Sequence, residues 1–105
     1  MDIAISKNNV PIRMTSERWL HISMGHPEIA SFYFEIFETI EQPDCVYEGT
    51  DGELLAIRSF KDLHNKYIVA IYKEINNNDG SIITSYLSNK PNELLKRKVL
   101  WKPLQ

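Results

Sequence analysis

The stretch IASFYFEIFETIEQ, residues 29–42, decides the fold class because its hydrophobic spacing differs from that of the chain after it. Its apolar side chains recur at intervals of three and four residues, at Ile29, Phe32, Tyr33, Ile36, Phe37 and Ile40. This spacing predicts an amphipathic helix whose apolar stripe lies in the core, with glutamates mainly off the stripe. The helix should end before Pro43, since proline cannot continue a helix.

A shorter helix is predicted just upstream. Thr15 or Ser16 offers an N-cap oxygen, Gly25 is placed to end this helix, and Pro27 suits the first turn of the next one. Still earlier, residues 3–6 and 10–13 read as short strands or extended arms around an Asn-Asn turn. The N-terminal part of the chain is therefore predicted to be mainly helical.

After Pro43 the pattern becomes that of strands. Asp51-Gly52 is a strong hairpin signal between two β-prone runs. Strands are predicted over residues 45–50, 53–60, 67–75 and 81–87, with a possible edge strand over 99–101. Together these elements predict an α+β fold in which two N-terminal helices pack on a four- to five-stranded antiparallel sheet.

Composition predicts one ordinary globular domain over residues 1–105. Of the 105 residues, 43% are hydrophobic and 25% charged, which excludes disordered and disulfide-rich classes. Cys45 is the single cysteine, so neither a disulfide nor a cysteine zinc site is expected within the chain, and a cytoplasmic location is the default. No signal-peptide or membrane-helix pattern is present. His21 and His26 lack the i, i+4 spacing of a helical metal site, and neither a metal nor a cofactor is expected.

The net charge of −2 hides an asymmetry between the two halves. Residues 1–53 hold 3 Lys+Arg and 10 Asp+Glu, a net of −7, whereas residues 54–105 hold 9 and 4, a net of +5. Lys96, Arg97 and Lys98 concentrate the positive charge and are candidates to attract RNA. The alternative is a solvated C-terminal segment that pairs with the acidic helices.

Four residues have the side chains that metal-independent cleavage of an RNA phosphodiester requires. That reaction needs a base, an acid, and cations or hydroxyls that stabilise charge developing on the phosphate. His21 and His26 are candidates for base and acid, while Arg58 and Thr84 are candidates to bind phosphate. Each of these histidines alone is more often structural, so the hypothesis rests on the combination.

Tyr72 and Tyr86 are candidates to stack RNA bases. Strand alternation groups Arg58, Tyr72, Thr84, Tyr86 and Ser88 on one polar face, opposite Leu55/Ile57, Val69/Ile71 and Ile83/Leu87. This grouping depends on register, because a slip of one residue moves every side chain of a strand to the other face.

Several motifs resemble those of a known nuclease group. They are RWLHI (18–22) followed by HPE (26–28), IEQPD (40–44), YIVAIYK (67–73) and DGSIITSY (79–86). The chain resembles the phage-associated domains of the barnase–EndoU–colicin–RelE-like nuclease fold over residues 16–102. The resemblance implies a helical pair on a four- or five-stranded antiparallel sheet and metal-independent ribonuclease chemistry typical of toxins. It matches His21, His26, Arg58, Thr84 and Tyr86 to the group's site positions.

The leading hypothesis is therefore an endoribonuclease of toxin type that cleaves RNA by general acid–base catalysis. One alternative is a catalytically inactive module of the same fold that binds RNA or a protein partner. Another is an antitoxin or immunity-type protein whose acidic helices neutralise a basic partner. RNA and a cognate inhibitor are the expected partners, a membrane is not, and the sequence leaves the oligomeric state open.

Overall fold

The computed structural model describes residues 2–89 and 91–104. Within them lie two α-helices, α1 (Ser16–Gly25) and α2 (Tyr33–Glu41), and three short 3₁₀ helices at Pro27–Ile29, Lys61–Leu63 and Pro91–Lys96. The strands are β1 (Asp2–Ile5), β2 (Pro11–Met14), β3 (Cys45–Glu48), β4 (Glu53–Ser59), β5 (Tyr67–Asn76), β6 (Asp79–Ser88) and β7 (Val99–Trp101). Among the described residues, no helix is both long and apolar enough to span a membrane.

The described strands form one seven-stranded mixed sheet in the order β1-β2-β6-β5-β4-β3-β7. The predicted four- to five-stranded antiparallel sheet with two N-terminal helices is therefore wrong. β1 and β2 precede the helices and join the sheet as a hairpin, and β2 runs parallel to β6 through the pairs Ile12–Gly80 and Arg13–Ser81. This pairing covers backbone groups that would otherwise be exposed at the start of β6.

Gly80 permits the close approach of β2. A Cβ atom at this position would lie 2.5 Å from Ile12 Cδ1 and 2.7 Å from the Lys73 carbonyl oxygen. A side chain at Gly80 would therefore require movement of the β5 backbone as well as of the isoleucine. The glycine that reads in the sequence as a turn residue is also a packing requirement of the mixed sheet.

The helices follow their sequence signals with one interruption. The Thr15 side chain accepts a hydrogen bond from the Arg18 backbone N–H at 3.0 Å and so caps α1. The single helix predicted from the apolar stripe over residues 29–40 is interrupted. Ile29 lies in a 3₁₀ helix, and α2 begins only at Tyr33. Ile29 remains 0% exposed, so the break changes the path of the chain and not the burial of the stripe.

Apolar side chains cover both faces of the central strands. On one face, α1 and α2 pack on β4, β5 and β6 in a cluster that includes Ile22, Ile36, Ile40, Ile68 and Tyr72. On the other face, a second cluster consists of Tyr47, Leu55, Ile57, Val69 and Leu94. Full burial of one such aliphatic side chain contributes about 1.5–3 kcal/mol. We call the second surface the open face, because it is the one the α-helices do not cover.

A bulge in β6 sets which side chains reach the open face. Ile71 pairs with Thr84 and Tyr72 pairs with Ile82, so Ile83 is an extra residue between them. The Arg18 guanidinium donates to the Ile83 carbonyl oxygen at 3.4 Å. Because the extra residue reverses the alternation, Ile82 shares the helix-covered face with Tyr72, whereas Thr84 lies on the open face.

Candidate functional site

A row of hydroxyl side chains lies along β6 on the open face. Cross-strand partners share a face, and here Ile71 pairs with Thr84, Val69 with Tyr86, and Tyr67 with Ser88. Thr84, Tyr86 and Ser88 are half-buried, and we call them the β6 hydroxyl row. In the described chain, β2 pairs with β6 only at Gly80 and Ser81, so this half of β6 has no strand partner on its outer side.

His26 lies beside the hydroxyl row because of Pro27. A residue before proline is disfavoured in helical conformation, and His26 has φ −133° and ψ 74° at the end of α1. Its ring centroid lies 5.7 Å from that of Tyr86, with the rings tilted by 33°. On its other side, His26 Nδ1 lies 3.6 Å from a carboxylate oxygen of Glu28. An imidazole, a phenol and a nearby carboxylate therefore meet at the edge of β6.

Arg97 and Glu93 bring charge to Tyr86 from the segment that crosses the open face. Burial raises the pKa of the Tyr86 hydroxyl above its ordinary value, Arg97 acts in the lowering direction, and Glu93 raises it further. The Arg97 guanidinium also donates to the Glu48 carbonyl oxygen at 3.3 Å. Leu94, which is 7% exposed, anchors this segment on the second apolar cluster. A tyrosine phenol with its ordinary pKa of about 10 is already protonated at neutral pH, and the shift here is upward, so Tyr86 can act as a hydrogen-bond donor.

The basic run 96–98 is exposed next to this site. Lys96, Arg97 and Lys98 all face solvent, and the Lys98 carbonyl accepts the Glu48 N–H at 2.8 Å. The described contacts of the run are thus with the end of β3 and not with the acidic helices. Its positive charge is available to a ligand on the open face.

Arg58 and Tyr72 lie on the opposite face of the sheet from the hydroxyl row. Arg58 forms an ion pair with Glu38 of α2 at 3.3 Å, donates to the Gln42 carbonyl, and lies 5.3 Å from the Phe60 ring centroid. Tyr72 is 1% exposed, and burial followed by the nearby Glu74 carboxylate raises its pKa. A ring that is buried in this way cannot stack on a base. The predicted polar face therefore divides between two sides of the sheet.

His21 is remote from His26 in orientation. Five helical residues rotate a side chain by about 140° around the axis, so the two histidines point to different sides of α1. His21 is exposed and lines an open groove of about 510 Å³ with Arg18, Leu20 and Met24. Of the four predicted catalytic residues, the structure brings His26 and Thr84 to the β6 edge and places His21 and Arg58 elsewhere.

Two residues near the site escaped the sequence analysis. Glu28 directly follows the His26-Pro27 pair, and that spacing is the signal that could have assigned it as the partner of the imidazole. Tyr67 lies on the same face as the hydroxyl row, opposite Ser88, and only knowledge of the register could have placed it there. Over residues 2–89 and 91–104, no group of three or more His, Cys, Asp or Glu side chains is arranged to hold a metal ion.

Comparison with known proteins supports the fold. No protein-family model matches this chain. No curated protein matches it either. Among solved structures, the chain is similar to the ribonuclease toxin BrnT of Brucella abortus, with a TM-score of 0.51 and 22% sequence identity. The match covers 73% of this chain and 94% of the toxin chain. At this identity the likeness concerns the fold alone: the chain has a fold similar to that of a toxin nuclease, and no specific family is assigned.

Proposed function

We propose that this protein is an endoribonuclease of toxin type whose active site is the edge of β6 on the open face. The observation that supports this most is the meeting of His26, Tyr86 and Arg97 beside the hydroxyl row. These three side chains supply an imidazole that can accept a proton, a phenol that can donate one and a fixed positive charge. The similarity of the fold to that of a ribonuclease toxin is consistent with this assignment.

In the proposed reaction, His26 accepts the proton of a ribose 2′-hydroxyl. The 2′-oxygen attacks the adjacent phosphorus, the bond from phosphorus to the 5′-oxygen breaks, and Tyr86 gives its proton to that leaving oxygen. The products are a 2′,3′-cyclic phosphate and a 5′-hydroxyl, with no metal in any step. Glu28, 3.6 Å from His26 Nδ1, orients the imidazole. Tyr86 thus takes the acid role that the sequence analysis gave to a second histidine.

Charge that develops on the phosphate would be stabilised from two sides. Arg97 acts on the Tyr86 hydroxyl electrostatically, so its charge would also act on a phosphate bound there. Thr84 lies two residues from Tyr86 on the same face, about 7 Å away along the strand, and its hydroxyl can donate to a phosphate oxygen. Lys96 and Lys98 would attract RNA over a longer range and make binding dependent on salt.

Single substitutions at the two histidines test this assignment against the sequence-based one. We expect His26→Ala to lower the rate of cleavage of a single-stranded RNA about 10²–10⁴-fold, the usual contribution of a general base. Tyr86→Phe should cause a loss of similar order because it removes the donated proton. His21→Ala is the matched control on the same helix and should retain the wild-type rate.

The outcome pattern separates the possible errors. Equal loss in the His21 and His26 variants would contradict the open-face site. Cleavage by wild type that all three variants retain would point to a contaminating nuclease. Each variant should give the wild-type circular dichroism spectrum before rates are compared.

A second candidate function is RNA binding without cleavage. The observation in its favour is that Arg58 makes its described contacts with Glu38 and Gln42, on the far side of the sheet from the hydroxyl row. If wild-type protein binds RNA through Arg97 and Lys98 but leaves it intact, this function replaces the enzymatic one.

A ribonuclease of this type would act in the cytoplasm that makes it and would need a protein inhibitor. Expression in a host cell is the corresponding test. We expect the wild-type chain to arrest growth and His26→Ala to be tolerated. If both are tolerated, the toxin role fails, and an antidote role is then tested by coexpression with a toxic partner.

A further inference from the structure

A groove lined by cationic side chains lies at the end of the sheet where β4 ends and β5 begins. It has a volume of about 710 Å³ and is lined by Arg58, Ser59, Lys61, Asn65, Lys66 and Tyr67, among others. We call it the terminal groove. We propose that it binds single-stranded RNA next to the nucleotide held at the β6 hydroxyl row. This inference rests on the proposed function, and it places in this groove the part of the RNA strand that extends beyond the cleavage site.

The charge of the groove favours a phosphate backbone. Lys61 and Lys66 are exposed, and within the described chain neither forms an ion pair. Asp44 is the opposing carboxylate, and one of its oxygens accepts hydrogen bonds from the Ser59 N–H at 2.8 Å and the Ser59 hydroxyl at 3.2 Å. The aspartate therefore shapes the rim of the groove, and the two lysine ammonium groups remain for an anion.

Arg58 and the loop before β5 form part of the groove wall. The Nε atom of Arg58 is buried and has no hydrogen-bond partner among the described residues, although the same guanidinium binds Glu38 and Gln42. The loop that follows Lys61–Leu63 holds His64 and Asn65 at φ 46° and 70°, a backbone region that costs about 1 kcal/mol or more outside glycine. That conformation keeps Asn65 in the wall of the groove.

Tyr67 supplies a surface for a base. Its ring lines the groove and is half-buried against the second apolar cluster, which fixes its position. Stacking on an aromatic ring suits every RNA base, since each base has a π-face. An aromatic ring beside two lysines that form no ion pair is a combination with which proteins bind single-stranded RNA.

Two groove residues, Ser59 and Tyr67, lie on the same face of the sheet as the hydroxyl row, while Arg58 reaches the groove from the helix-covered face. Ser59 pairs with Tyr67, and Tyr67 pairs with Ser88, the last member of the row. From Ser59 to Tyr86 the sheet spans two strand spacings and two residues of rise, about 12 Å. One RNA strand can therefore contact both places at once, with its phosphates toward the lysines and a base on Tyr67.

The test measures binding with a fluorescein-labelled RNA of ten nucleotides that is 2′-O-methylated throughout, so that cleavage cannot contribute. The logarithm of affinity falls with the logarithm of salt concentration, and for single strands each phosphate contact makes this dependence steeper by about 0.7. For Lys61→Gln/Lys66→Gln we expect this dependence to become less steep by about 1.4 and the affinity at 0.1 M salt to fall about 25-fold. Tyr67→Leu should weaken binding about fivefold or more, and Tyr67→Phe should stay near wild type.

Lys7→Gln/Arg13→Gln is the matched control, because it removes the same charge at residues that do not line the groove: Lys7 lies over Trp101 of β7 and Arg13 pairs with Asp79. It should leave the salt slope unchanged. If the two double variants lose the same affinity and the same salt dependence, the groove is not a binding site, and RNA binding depends on net charge alone. Wild-type binding by Lys61→Gln/Lys66→Gln would overturn the proposal outright.

Failure of this inference can be told apart from failure of the proposed function. In one outcome, the Lys61/Lys66 variant cleaves RNA at the wild-type rate and binds it with the wild-type salt dependence. That result would reject the groove as a binding site and leave the β6 active site unaffected. If methylated RNA binds through the groove but unmodified RNA is never cut, the groove proposal is supported and the catalytic role is rejected.

Discussion

Tyr72 and Tyr86 were predicted from the sequence to stack RNA bases, and the structure places them in different environments. Tyr72 is 1% exposed inside the helix-covered core, whereas Tyr86 is half-buried on the open face. Truncation of a fully buried aromatic ring costs about 3–5 kcal/mol, from lost burial and the cavity left behind. We therefore expect Tyr72→Ala to lower the free energy of unfolding by that amount. For Tyr86→Ala we expect about 1 kcal/mol.

Urea unfolding followed by circular dichroism measures both values, and the slope with denaturant should be the same for wild type and both variants. RNA binding should show the reverse order. At a temperature where both variants are folded, Tyr72→Ala should bind RNA like wild type, while Tyr86→Ala should lose about 1–3 kcal/mol of binding free energy through lost stacking.

The refuting result is a reversal of either order. If Tyr72→Ala costs less than about 1 kcal/mol of stability, or weakens RNA binding more than Tyr86→Ala does, then the register of β6 against β5 is not the one described. The pairs Ile71–Thr84 and Tyr72–Ile82 would then be incorrect.

Two further predictions concern the sheet and its behaviour in alkali. Gly80→Ala should destabilise the fold by about 1–3 kcal/mol in urea because the added methyl group meets Ile12 and the β5 backbone; Gly25→Ala, which has no atom within 4 Å of the added Cβ, is the control and should not destabilise. Burial raises the pKa of Tyr47 from 10.0 to about 12, and the Cys45 thiol adds to the rise. Between these values the unfolded chain loses the proton first, so stability that is complete below pH 10 falls by about 1.4 kcal/mol per pH unit for this group. Tyr47→Phe should remove that part of the slope in urea unfolding between pH 10 and 12, and an unchanged slope would contradict the assigned environment.

The fold could be predicted as far as local patterns reach. The alternation and turns after Pro43 place β3 to β7 within one or two residues of their bounds, and Thr15, Gly25 and Pro27 mark the ends of α1. The mixed sheet could not be predicted, because the parallel pairing of Ile12 with Gly80 joins residues far apart in sequence and leaves no local pattern. Long-range pairing of this kind depends on shape, and here on the absence of a side chain at Gly80.

The arrangement of the candidate site residues could be predicted only in part. His26, Thr84 and Tyr86, which were among the predicted site residues, lie at the edge of β6. Arg58 was grouped with them by simple alternation, which fails because Ile83 is an extra residue in β6. A bulge moves every later residue of its strand to the opposite face, and the composition of β6 does not predict it. The net charge of −2 likewise concealed a basic segment on one face.

The most direct test of the central claim uses an oligonucleotide that is 2′-O-methylated at every position except one. We expect the wild-type protein to cut only on the 3′ side of the single unmodified ribose. One fragment should end in a 2′,3′-cyclic phosphate and the other begin with a 5′-hydroxyl, identified by mass spectrometry, and His26→Ala should cut far more slowly. Cleavage at methylated positions, or wild-type protein that leaves the unmodified position intact, would contradict a ribonuclease site at the β6 edge.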